Sequence, residues 1–163
     1  MGSEPTPGDL AEILPGRWRI RASNLFHWLS GERLNPVVEL SLSSTQPLAR
    51  GEQVEFATTD GKDRVVRSRS VWSGDSFVTR KVALRRPNAR RWTVRGASDD
   101  GNIIVVKHGK GRAPADGIDV LVREGSDATE VRALVAREAE TFQLTLEDFA
   151  SLNWFPVPTG QQP

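Results

Sequence analysis

The sequence predicts a mainly β domain: an eight-stranded antiparallel up-and-down β-barrel with C-terminal helices. Three observations carry that expectation. Short runs of alternating apolar and polar residues recur from Arg17 to Val122, the period of a half-buried strand. Hairpin-type turn residues separate them, above all Asp60-Gly61 and Asp100-Gly101, because aspartate and glycine tolerate positive φ. After Val122 the apolar period becomes that of a helix. A meander this long closes on itself and so removes its edges. Eight strands leave an interior that side chains fill or that holds one small ligand.

Residues 1–13, rich in Gly, Pro, Ser and Glu, are expected to be a flexible N-terminal tail, with room for a helical turn over 10–14. Pro15-Gly16 then breaks the chain before a first strand in which Trp18 and Ile20 alternate with Arg17, Arg19 and Arg21. Residues 24–31 are aromatic, do not alternate and end on glycine, which suits a short helix or 3₁₀ turn across one mouth of the barrel. Phe26 and Trp28 in that segment either line a cavity or seal it. Further strands are expected at 37–43, 53–59, 64–72, 77–84, 91–97, 103–108 and 118–122, with Ser73-Gly74-Asp75 and Pro87-Asn88 as connections. Ser126 or Asp127 can cap a helix whose Val131, Leu134, Val135 and Ala139 form an apolar stripe. Thr145, with Asp148 three residues on, caps a second helix that would dock Phe149, Leu152, Trp154 and Phe155 on the barrel wall. One domain thus spans 14–155, and 156–163 is expected to be a disordered tail.

The triplet Gly16-Arg17-Trp18 at the head of the first strand, with strands first and helix last, resembles the lipocalins and their calycin relatives. The resemblance covers 14–155 and implies that Trp18 plugs the closed end, with Arg123 from the last strand lying over it. The middle lipocalin motif, Thr-Asp-x-Tyr, is absent, because the chain contains no tyrosine. The resemblance is therefore to a divergent, lipocalin-like class of bacterial proteins.

Composition narrows the function classes. At 163 residues the chain can bury a core without staples, and it has no cysteine, so disulfides and thiolate metal sites are excluded. A net charge of +1 with mixed signs argues against a nucleic-acid partner. No apolar run reaches membrane-spanning length and the first residues lack the layout of a leader peptide. The expected setting is cytoplasmic, with no membrane partner.

The site is read from strand register. A two-residue turn at Asp60-Gly61 would pair Phe56 with Val65 and Val54 with Arg67, and the next turn would add Val71, Val78 and Arg80 to that face. Turned inward, this face offers Phe56 with Trp92 inside, loses Trp72 to the outer wall, and draws Arg67, Arg69 and Arg80 toward the interior. Unpaired buried charges are too costly to keep. Either a bulge or a solvated outlet relieves them, or they meet an anionic or carbonyl-bearing ligand. Phe26, Trp28, Phe56, Arg67, Arg80 and Trp92 are accordingly the candidate ligand-binding residues. Arg67, Arg80 and His108 are the candidates for chemistry.

The main functional expectation is the binding of a small, largely apolar molecule in the barrel. The alternative is a cofactor-independent cyclase or isomerase that folds a flexible, polyketide-type substrate in the same cavity, as cyclases among lipocalin-like barrels do. A third reading uses the basic hairpin 80–95, with Arg80, Lys81, Arg85, Arg86, Arg90, Arg91 and Arg95, to dock an acidic protein partner. No cofactor is implied; a histidine-ligated haem, as in nitrobindin-like barrels, would need His27 or His108 on an inner wall.

Overall fold

Eight antiparallel strands close into a barrel: β1 (Gly16–Ser23), β2 (Arg33–Thr45), β3 (Leu48–Thr58), β4 (Asp63–Ser73), β5 (Ser76–Arg80), β6 (Arg90–Ala97), β7 (Ile103–Lys110) and β8 (Gly117–Arg123). Each pairs with the next, and β1 completes the circle by pairing with both β2 and β8. Among the described residues four helices accompany the strands: α1 (Pro7–Ile13), α2 (Phe26–Leu29), α3 (Val131–Arg137) and α4 (Leu146–Ser151). A two-residue β9 (Asn153–Trp154) adds to the end of β1. The computed structural model describes residues 4–80, 90–110, 117–126 and 130–156, without the side chains of His27, Arg80, Arg90 and Lys110. No helix among the described residues is long and apolar enough to cross a membrane.

The closed end is built on Trp18, which has no solvent exposure and donates its indole N–H to the Leu14 carbonyl at 2.9 Å. The Arg123 guanidinium lies 4.3 Å from the Trp18 ring. It donates to the carbonyls of Pro15 at 2.9 Å, Ile13 at 2.6 Å and Gly101 at 3.3 Å. Gly16 takes φ +135°, and a Cβ there would stand 2.6 Å from Arg123 Nη1, so only glycine fits between turn and guanidinium.

Beneath this plug the structure corrects the reading of residues 1–13. They were expected to be tail, yet α1 begins at Pro7, and its Leu10 is buried in the barrel core together with Leu14. Thr6 and Asp9 form a reciprocal capping box at its start, which satisfies amide donors that would otherwise be orphaned. Beyond Pro156 the expected C-terminal tail lies outside the described residues.

A second apolar layer covers part of the outer wall. Val131 and Val135 of α3, with Phe142 and Leu144, pack on Ala22, Ile103, Val105, Ile118, Val120 and Val122. Strand β8 is consequently buried on both faces. The expected cap at Thr145 is present, with the Asp148 carboxylate accepting from the Thr145 amide at 3.0 Å and the Asp148 amide donating to the Thr145 hydroxyl at 3.0 Å. Of the two caps expected for α3, Asp127 lies outside the described residues, and the position preceding the helix is Glu130, which makes no capping bond. Farther along β1, Arg17 reaches Glu39, Glu55 and Glu124 at 2.8–2.9 Å. These carboxylates, Glu124 foremost, raise its pKa above the ordinary value.

The β3–β4 hairpin overturns the expected register. The Thr58 amide donates to the Lys62 carbonyl and the Gly61 amide to the Thr58 carbonyl, with Gly61 at φ +81°. The loop is therefore Thr59-Asp60-Gly61 with a glycine bulge, not a two-residue turn. One extra residue moves every partner: Phe56 faces Arg64 and Val54 faces Val66. The whole of β4 and β5 turns over relative to β3. Ser68, Ser70, Trp72, Phe77 and Thr79 point inward, whereas Val65, Arg67, Arg69 and Val71 face out.

Replacing Trp18 with alanine should cost about 3–5 kcal/mol of folding stability, the range for removing a buried aromatic. An unchanged equilibrium denaturation midpoint would contradict the role of the Trp18–Arg123 contact in holding the closed end.

Candidate functional site

The interior combines an aromatic wall with a short polar belt. Register places Trp72, Phe77, Trp92 and His108 side by side across β4 to β7. Phe77 stacks on Trp92 with centroids 4.6 Å apart, and Trp72 meets Phe77 edge-on at 5.1 Å. On β3, next to β4 in the barrel, Phe56 meets Trp28 of α2 edge-on at 6.1 Å. The Arg33 guanidinium covers both rings, 4.7 Å from Phe56 and 5.6 Å from Trp28. The small lid is anchored by Leu25 against Gly117, where an added Cβ would lie 1.9 Å from Leu25 Cδ2. Glycine at 117 is thus a requirement of the lid's seating.

The polar belt centres on Arg50, which enters from β3 and is 2% exposed. Its guanidinium lies 3.6 Å from the Trp92 ring centroid and 5.4 Å from that of Phe77. Nη1 stands 3.2 Å from Glu52 Oε2 but off the line of a hydrogen bond, and Nε has no partner. Glu52 is held in turn by the Ser68 hydroxyl at 3.1 Å. Ser70 and Thr79 share a bond of 2.7 Å. On the facing wall Asp119 is buried and its Oδ2 meets His108 Nε2 at 2.8 Å, while its Oδ1 is unpartnered. The indole N–H of Trp92 is likewise buried and unpaired.

Four sequence-derived candidates meet the interior: Trp28, Phe56, Trp92 and His108. Trp72, assigned to the outer wall, is inside with them, because the odd loop brings Phe56 and Trp72 to the same face. Phe26 is not brought in; it is 81% exposed. Arg67 is on the outer wall, where its Nε donates to Gln53 at 3.1 Å. Arg80 pairs in register with Arg69, and its side chain lies outside the described residues. In the basic hairpin 80–95, residues 81–89 also lie outside them, and so does the His27 side chain. Arg91 contacts Asp75 at 4.0 Å.

The guanidinium expected from Arg67 or Arg80 is thus supplied by Arg50. Alternation already pointed there, since Leu48, Arg50, Glu52, Val54 and Phe56 share a face. Placing the strand start at residue 53 cut that series short. Asp119 carried a signal too: it is a lone acid within an apolar run.

No protein-family model matches the chain, and no curated protein matches it in sequence. Solved structures do match. The siderocalin Ex-FABP, which functions through dual ligand specificities, superposes with a TM-score of 0.60 at 14% identity, over 90% of this chain and 96% of its own. An odorant-binding protein gives 0.60 at 9% identity, over 94% of both chains. The bovine lipocalin allergen Bos d 2 gives 0.53 at 15% identity, over 88% of this chain and 93% of its own. The barrel has the lipocalin fold.

Burial depresses the Arg50 pKa to about 10, with Glu52 opposing the shift only in part. The sign follows from linkage: between pH 10 and the ordinary guanidinium value the unfolded chain holds the proton and the folded chain does not, so stability rises with pH there. Below about pH 10 the cost of burying the charge is fully in force. Arg50→Met should therefore leave stability at pH 7 unchanged or raise it by about 1–4 kcal/mol, as when buried charges give way to apolar side chains. A lowered urea midpoint would instead make the guanidinium a net support of the barrel.

Proposed function

We propose that the barrel binds a small, largely apolar molecule, which enters at the α2 end and lies against Trp28, Phe56, Trp72 and Trp92. One observation carries this reading. Val66 faces inward opposite Val54, yet it is 40% exposed. An apolar inner wall that water reaches is the signature of a mouth rather than of a filled core. The folds it resembles include an odorant-binding protein and a siderocalin with two ligand specificities, which supports the same reading. A dye such as Nile red should bind saturably and quench tryptophan emission, and Phe56→Arg should weaken it at least tenfold. A barrel that takes up no apolar dye would be a filled one, and the proposal would fall.

A second reading, the cofactor-independent cyclase or isomerase, is favoured by the His108–Asp119 pair. A carboxylate on one ring nitrogen orients the imidazole and leaves the other for a substrate proton. In heavy water the methyl protons of bound 2-acetonaphthone should then exchange faster than in solution, with the enhancement lost about a hundredfold in His108→Gln. Equal exchange with and without protein would leave binding as the function.

A further inference from the structure

Among the described residues, three buried polar groups at the interior have no partner. Arg50 offers Nε and Nη1, Trp92 offers its indole N–H, and Asp119 offers Oδ1 as an acceptor. All three residues are at least nine-tenths buried, at 2%, 5% and 4% exposure. Buried donors and acceptors are paired almost without exception in folded proteins, so orphans of both kinds on inward-facing neighbours, Arg50 against Trp92, Trp92 in register with His108 and His108 bonded to Asp119, point to an absent partner. They also describe it, since donors require an acceptor and the carboxylate oxygen requires a donor.

Charge decides the class of that partner. Arg50 is already flanked by Glu52, with Oε2 at 3.2 Å, and Asp119 lies on the facing wall. A ligand bearing a full negative charge would meet the Glu52 carboxylate already beside that guanidinium and the Asp119 carboxylate on the other wall, in a setting where water screens little. A neutral polar end avoids that repulsion and still uses every orphan. We propose that the bound molecule has a neutral polar end carrying both a carbonyl and a hydroxyl: the carbonyl oxygen accepts from Arg50 and the Trp92 indole, and the hydroxyl donates to Asp119 Oδ1. This rests on the apolar-ligand reading and deepens it. The ring or chain body faces the aromatic wall, and His108, bonded to Asp119, sits beside the hydroxyl. A site built to hydrogen-bond a hydroxyl rejects the analogue without it far more strongly than an apolar pocket rejects a change of size.

The test uses four two-ring probes of matched size, read by tryptophan quenching: 4-hydroxy-2-acetonaphthone, whose hydroxyl cannot reach its own carbonyl, its 4-methoxy ether, 2-acetonaphthone, and 4-hydroxy-2-naphthoate. The hydroxy ketone should bind at least tenfold tighter than the ether, the plain ketone and the carboxylate. Asp119→Asn should remove most of that preference while leaving 2-acetonaphthone affinity within about twofold, and Trp92→Phe should weaken both ketones alike. Arg50→Met should lower the affinity of both ketones. Equal affinity for the first three probes would overturn the inference and assign the orphan groups to ordered water, with the apolar reading intact. Tightest binding of the naphthoate would overturn it in favour of an anion. If none of the four binds, the inference fails; Nile red then decides whether the apolar reading fails with it.

Discussion

The Arg123 guanidinium is the constraint on which the rest of the barrel depends. It ties β8 to two segments remote in sequence, through the carbonyls of Ile13 and Pro15 in one and of Gly101 in the other, and lies against the Trp18 ring. Those contacts set where β1 begins and which of its faces is inner. Trp18 is in register with Val38 on one side and Arg123 on the other, so both seams of the closure are aligned from the same residue. Burial lowers the Arg123 pKa from its ordinary value, yet the three carbonyl bonds and the ring recover much of what desolvation costs. Glycine before the tryptophan follows from the space that the guanidinium occupies.

The second guanidinium obeys a different logic. Arg123 is satisfied by backbone, whereas Arg50 is held by two aromatic faces and one imperfect ion pair. A fold selected for stability alone would not retain such a group, since an apolar side chain of similar volume would serve as well or better. The pattern is the usual one at functional sites, where local rules are broken and the surrounding structure compensates. Here the compensation is the clasp at the closed end together with the apolar layer of α3 over β1, β7 and β8.

Much of this architecture was legible in the sequence. The strands follow from alternation, their ends from glycine and aspartate, and the start of α4 from Thr145 and Asp148. Helix α1 was equally legible in principle, as Thr6-Pro7-Gly8-Asp9 has the spacing of a capping box with proline at the first helical position. Its polar composition hid it. The interior was harder to read, because which face of β4 points inward depends on whether Gly61 ends a two-residue turn or forms a bulge after a three-residue one. Asp-Gly serves both, and the choice lies in one backbone angle. Arg50 was hidden for another reason: charged residues at alternate positions look like a loop unless the apolar series on either side is carried through them.

That odd loop also governs which changes of length the barrel can survive. Parity, not size, is what the β3–β4 connection transmits to the strands that follow. Insertion or loss of two residues there conserves the inner set and should pass as neutral drift. Insertion or loss of one would invert β4 and β5 together, exposing Trp72 and Phe77 while driving Arg67 and Arg69 into the barrel interior. Lineages of this barrel should therefore show loops that differ in steps of two at this hairpin. A single-residue change should appear only beside a compensating bulge on β3 or β4.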